Sequence, residues 1–188
     1  MKRTSLSARI FLTMLLTALT IISAYAEEVD KGKIPPQQLT ATYKQLPWNC
    51  PIWDESEAID ALLRGEKVLW VDTRPESFFK AGTIRNAVLL VYDKKDKPEN
   101  TLTAESLAKA LQASNLGADA KIVFFCQGPE CHRSYNATYQ AVSAWGYQPD
   151  QVIWFRAGYP LLVTAIKNDA KLKRKAKKLI SDEGMSGL

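Results

Sequence analysis

Cys126, Cys131, His132 and Arg133 stand together in the segment IVFFCQGPECHRSYNA, residues 122–137 of a 188-residue chain. A cysteine becomes a nucleophile when its thiolate is stabilised, and an electropositive pocket or a helix N-terminus does that. The apolar run before Cys126 reads as a buried strand, and the run after His132 reads as a helix. A loop that wraps a strand end and enters a helix points backbone N–H groups at one centre and adds partial positive charge there. Cys126 would sit at that centre, with Gln127, Gly128, Pro129, Glu130, Cys131 and His132 as the loop and Arg133 supplementing the field. Such a site suits a sulfur nucleophile that holds a transferable sulfur atom or an anion. Cys131 has three readings: a resolving thiol, the nucleophile itself, or a packing residue at the helix start.

The rest of the pattern supplies a frame for this loop. Apolar runs at Lys67–Thr73 (KVLWVDT), Ala87–Val91, Lys121–Phe125 (KIVFF) and Val152–Phe155 read as short buried strands. Helical spacing appears at Ser56–Arg64, stopped by Gly65, and at Thr103–Ser114, capped by Thr103 with Ser106 three residues on. Pro75–Ala81, Arg133–Trp145 and Pro160–Asn168 read as further helices, and Lys171–Ile180 continues the last or starts another. Asp93–Asn100 is a charged loop. Strands alternate with helices, which predicts an α/β class with a mainly parallel sheet and helices on both faces. In such sheets ligands sit beyond the strand carboxyl ends, where Cys126 falls.

Three stretches of the chain resemble the rhodanese-like (sulfurtransferase) family. VLWVDTRPESFFKAGTIRNAVLL is similar to that family's first block, matching at Asp72, Arg74, Phe78, Gly82, Ile84 and Ala87. IVFFCQGPECHRSYNA is similar to its strand–Cys–loop–Arg-Ser–helix block. WGYQPDQVIWFRAGYPLL matches its last block at Gly146, Tyr147, Val152, Phe155 and Gly158. Thr83 stands where the family often has His, Asn86 where it often has Gly, Ala157 in place of the first Gly of a Gly-Gly pair, and Leu162 near a common Trp. Six residues separate Cys126 from Arg133 where a typical member has four, and the C-x-G-P-x-C loop resembles a subgroup. The resemblance implies a persulfide on Cys126, with Asp72 and Arg74 bracing the loop and the sheet end. It implies a small sulfur donor, a thiol acceptor, and no cofactor.

Composition narrows the class of partner and compartment. Lys2, Arg3 and Arg9 precede an apolar stretch, Ile10–Ala24, and Ala24-Tyr25-Ala26 offers small residues where a signal peptidase reads. Residues 1–26 are therefore expected to be a signal peptide cut after Ala26, giving a periplasmic or secreted protein with no stable membrane anchor after cleavage. The alternative is an uncleaved anchor, for which the apolar run is short. This segment holds three of 25 basic residues and none of 20 acidic ones, so 22 basic against 20 acidic residues leaves a charge of +2. That balance does not call for nucleic acid. Residues 27–52 read as an extended lead-in, 53–168 as the domain, and 169–188 as a basic C-terminal helix or tail. The Lys-rich run there is a solvated helix face or frayed tail, or else a contact for a membrane surface or acidic partner. Cys50 is a surface or packing residue, or a partner for one of the loop cysteines.

Three other functions compete with sulfur transfer. Cys126 and Cys131 could serve thiol–disulfide exchange with a redox partner protein. Cys126…Cys131-His132 is also a stretched form of the C-x-x-C-H haem-attachment motif, with the chain's one histidine. The domain could instead bind an anion or a protein without catalysis. A metal site is poorly supplied, since two Cys and one His in a short loop give incomplete ligation.

Overall fold

A computed structural model describes residues 27–117 and 119–181. The expected signal peptide lies outside the described residues. Five strands form one sheet: β1 (Ile52–Trp53), β2 (Val68–Asp72), β3 (Val88–Leu89), β4 (Lys121–Phe125) and β5 (Val152–Phe155). Their order is β1-β5-β4-β2-β3, and every pairing between them is parallel. The helices are α1 (Glu55–Arg64), α2 (Glu76–Lys80), α3 (Ala104–Ser114), α4 (His132–Ser143), α5 (Gly158–Asn168), α6 (Ala170–Lys173) and α7 (Ala176–Leu179).

The sheet is buried on both faces, which is why its strands read as continuous apolar runs rather than alternating ones. Leu69, Val71, Ile122, Phe124, Val152 and Trp154 point to one side, where Leu107 of α3 and Tyr135, Ala137 and Ala141 of α4 cover them. Val68, Trp70, Val123, Phe125, Ile153 and Phe155 point to the other, against Ala58 and Ala61 of α1, Leu162 and Ile166 of α5, and Ala176 and Leu179 of α7. The expected class, a mainly parallel sheet with helices on both faces, is therefore the fold observed.

Helix ends follow their sequence signals. Thr103 Oγ1 accepts from Ser106 N at 3.1 Å and Thr103 N donates back to Ser106 Oγ at 2.8 Å, a reciprocal cap. Gly65 ends α1 at φ +63°. Helix α5 starts at Gly158, two residues before the expected Pro160, and α4 starts at His132.

The chain before Glu55 departs most from expectation. It holds a short 3-10 turn, Pro36–Leu39, and strand β1, which pairs with β5 at Ile52–Trp154 and Trp53–Phe155. Ile34, Leu46, Trp48 and Cys50 are buried in the layer shared with α4. Leu46, Trp48, Cys50 and Ile52 are buried at alternate positions, a strand-like period that Pro47 and Pro51 interrupt and mask in the sequence. Arg156 fastens the segment: its Nη1 donates to the carbonyls of Gln38, Thr40 and Tyr43, and its Nη2 reaches Asp54 Oδ2 at 2.5 Å.

At the other end, Lys171, Lys173, Lys175, Lys177 and Lys178 are exposed while Ala176, Leu179 and Ile180 are buried. The lysines form a solvated face on a segment that is docked, not frayed, as far as Ser181. Ile180 bridges Ile84, and Ser181 N donates to Thr83 O at 2.8 Å.

Candidate active site

Strands β2 and β4 lie side by side at the middle of the sheet. The chain leaves β2 towards β3 on one flank and leaves β4 towards β5 on the other. Connections that diverge from neighbouring strands open a crevice at their carboxyl ends. Cys126 follows β4 directly and is buried at that crevice. Its carbonyl accepts from Tyr159 N at 2.9 Å, and Cys131 N closes the loop onto Gly128 O at 3.0 Å. Thr73 holds the strand end from the β2 side, its N and Oγ1 donating to Phe125 O at 3.1 and 2.9 Å.

Gly158 sets how close the two connections can come. Its φ is +68°, and a Cβ built there would stand 2.5 Å from Cys126 O and 2.6 Å from Gly128 N. Only a residue without a side chain fits. Ala157, at the other position of the family's glycine pair, has φ −59° and is under no such demand. Asn86 occurs at φ +61°, a conformation asparagine tolerates better than most residues, which accounts for its standing in for glycine.

Asp72 and Arg74 form a fully buried pair under the loop. Arg74 Nε and Nη2 donate to the two Asp72 carboxylate oxygens at 2.8 and 2.6 Å. Nη2 also reaches Gly82 O at 2.7 Å, and Nη1 reaches Gln127 Oε1 at 3.2 Å. The guanidinium lies 4.7 Å from the Tyr159 ring centroid. Thr83 Oγ1 donates to Asp72 Oδ2 at 2.8 Å, filling the place of the family's frequent histidine. The pair thus ties β2, the loop and the start of α5 together.

The two loop sulfurs are joined. Cys126 and Cys131 form a disulfide with a Cα–Cα distance of 6.1 Å. Cys126 is buried, whereas Cys131, at the N-cap of α4, is half-buried and makes no side-chain capping hydrogen bond. Cys50 is free and buried, away from the pair. Burial pushes its thiol up to about 12, so it is inert at neutral pH.

Asp93 organises the far wall. Its Oδ1 lies 2.9 Å from His132 Nε2 and its Oδ2 lies 2.7 Å from Arg133 Nη2. Arg133 Nη1 donates to Tyr92 O at 2.9 Å. Arg133 therefore borders the cleft with its guanidinium paired to Asp93, not free to face Cys126 alone. His132 Nδ1 is buried and has no hydrogen-bond partner among the described residues. With Nε2 against Asp93 and the two cysteines joined to each other, this donor set does not fit attachment of a haem.

A cleft of about 900 Å³ opens over the loop. The loop from Cys126 to Cys131 and the first two residues of α4, His132 and Arg133, form its floor, Pro75 and Phe78 one side, and Asp93, Lys94 and Lys97 another. Asp30, Lys31 and Gly32 complete the wall. That last stretch is docked by Asn136, whose amide accepts from Val29 N at 2.9 Å and donates to Val29 O at 3.0 Å. Glu28 receives the Tyr92 hydroxyl and Lys95 N, and Lys94 pairs with Asp30 at 2.9 Å.

The structure thus gathers Cys126, the six loop residues after it, and Arg133 around one cleft, with Asp72 and Arg74 beneath. Sequence reasoning missed Asp93, the 28–32 wall and Tyr159. Asp93 could have been found, because a carboxylate just past a parallel strand belongs to the rim where sites assemble. Nothing in the sequence flagged residues 28–32.

Residues 55–164 match the Rhodanese-like domain family. The chain belongs to that family. No curated protein matches it. Among solved structures it is similar to the rhodanese-like domain of an Anabaena protein, with 21% identity over 61% of this chain and 74% of that one, at a TM-score of 0.39. It is also similar to the As-Sb reductase of Leishmania major (21% identity, 65% and 82% covered, TM-score 0.48). A third is a Saccharomyces cerevisiae homologue of single-domain rhodanese and the Cdc25 phosphatase catalytic domain (13% identity, 69% and 86% covered, TM-score 0.49).

Proposed function

We propose that this protein is a sulfurtransferase that carries sulfane sulfur as a persulfide on Cys126. The observation that carries this reading is the position of Cys126: first residue past the central strand of a rhodanese-like domain, on the floor of an open cleft. In the reduced protein the Cys126 thiolate attacks the sulfane sulfur of a thiosulfate-type donor. The donor's S–S bond breaks, sulfite leaves, and a persulfide remains on Cys126. The uncapped first turn of α4 offers N–H groups that favour the anionic sulfur. A thiophilic acceptor then takes the terminal sulfur. Asp72 and Arg74 hold the loop rather than touch substrate. The test is sulfite release from thiosulfate by the reduced protein. Cys126→Ser should abolish it and Cys131→Ser should retain one turnover; the reverse pattern makes Cys131 the nucleophile.

The Cys126–Cys131 bond favours a second reading, thiol–disulfide exchange with a redox partner. On that reading thiosulfate leaves the reduced protein unchanged in mass. The compartment belongs to the same proposal. The signal-like pattern of residues 1–26 supports export, and in an oxidising compartment the pair would need an external thiol reductant before each donor encounter.

A further inference from the structure

We infer that Cys131 converts the Cys126 persulfide into free sulfide, so that the protein is a sulfide-releasing, dithiol-dependent reductase of sulfane sulfur and not only a carrier of it. This rests on the persulfide reading above. The two half-buried and buried sulfurs are not merely near each other: the disulfide spans the loop at a Cα–Cα distance of 6.1 Å. Cys131 is held there by its own N–H on Gly128 O and by its place at the start of a twelve-residue helix. No excursion of the loop is needed for its sulfur to meet that of Cys126.

The bond present is the product of attack on one of the two persulfide sulfurs and not the other. A thiol beside a persulfide can strike either sulfur. Attack on the outer one moves the sulfane sulfur to Cys131 and makes no bond between the cysteines. Attack on the inner one, Cys126 Sγ, makes the Cys126–Cys131 bond and expels the outer sulfur. The step balances without an added oxidant: the Cys126 persulfide anion and the Cys131 thiol become the disulfide and hydrosulfide, the thiol proton leaving with the sulfide. The two electrons that reduce the sulfane sulfur come from the cysteine pair.

The cycle closes with an external dithiol, and exposure decides where it enters. Cys126 is buried and Cys131 is half-buried, so a reductant's thiolate reaches Cys131 Sγ first. That attack expels Cys126 as the thiolate, the form that takes the next sulfur. A second thiol of the reductant then frees Cys131 and the reductant leaves as its own disulfide. Cys131 lines the cleft, which is the side from which the reductant would approach.

The experiment loads reduced, desalted protein with one equivalent of thiosulfate under anaerobic conditions and follows sulfite, sulfide and protein mass. Wild type should release one sulfite and one sulfide and lose two hydrogens across Cys126 and Cys131. Cys131→Ser should release sulfite, retain one added sulfur on Cys126, and hold it at least about tenfold longer, the advantage of a positioned over a diffusing thiol being lost. A wild-type persulfide as long-lived as that of Cys131→Ser overturns the inference and leaves sulfur transfer standing. Absence of sulfite from both proteins overturns the persulfide reading and the inference with it.

Discussion

Cys126 and Gly158 act as one unit, because the loop that holds the sulfur is pressed against the glycine that opens α5. Replacing Gly158 with alanine places a Cβ inside contact distance of two backbone atoms of that loop and imposes a left-handed conformation on a residue with a side chain. We expect a loss of about 1–3 kcal/mol in stability, read by chemical denaturation, together with loss of sulfite release from thiosulfate. An unchanged midpoint would mean that the close approach does not exist. Asp72→Ala leaves the Arg74 guanidinium buried without its carboxylate, at a cost of about 3–5 kcal/mol. Cys50 offers a contrasting residue-scale prediction. After mild reduction at neutral pH, iodoacetamide should modify the loop cysteines and leave Cys50 untouched until the protein is denatured, as peptide mass mapping would show.

At the scale of elements, the lead-in is the part whose attachment can be tested separately from the chemistry. Asp54 caps α1 and receives both Arg156 and Lys44. Burial alone would raise its carboxyl, but the hydrogen bonds and charges of Arg156 and Lys44 outweigh that and hold it below the usual range. A carboxyl lowered in the folded state stabilises above its unfolded value and loses that contribution as pH falls through the folded one. The clamp on residues 38–43 should therefore hold at neutral pH and loosen below about pH 4, seen as rising proteolysis or hydrogen exchange in residues 27–50. Arg156→Met should produce the same loosening at pH 7 with β2 and β4 still protected. The sequence made β4 and β5 legible because strands buried on both faces write an uninterrupted apolar run. It did not reveal β1, since a two-residue strand carries no period, nor the clamp, since four partners of Arg156 are spread from Gln38 to Asp54. Cys126 and its loop were legible from local order alone, strand then cysteine then helix. The pairing of His132 and Arg133 with Asp93 was not, because it joins two connections about forty residues apart in a chain whose register only the folded sheet sets.

For the whole molecule, the proposed export and the proposed chemistry are compatible. The cleft wall at residues 30–32 lies just beyond the expected cut after Ala26, so the exported protein would keep the complete site. Protein recovered from the envelope of its own cells should begin at Glu27 by intact mass; a chain still carrying residues 1–26 would contradict this. There the Cys126–Cys131 pair is the only couple among the described cysteines, Cys50 being buried and free. Among the described residues no helix is long and apolar enough to cross a membrane.

On the proposed mechanism Cys126 bears the sulfur. Mass spectrometry of the reduced Cys131→Ser protein after thiosulfate tests it most directly. One added sulfur atom is expected, mapped to the peptide containing Cys126 and removed by an added thiol. An unchanged mass for this protein, with one added sulfur found instead on Cys131 of the Cys126→Ser protein, would contradict it.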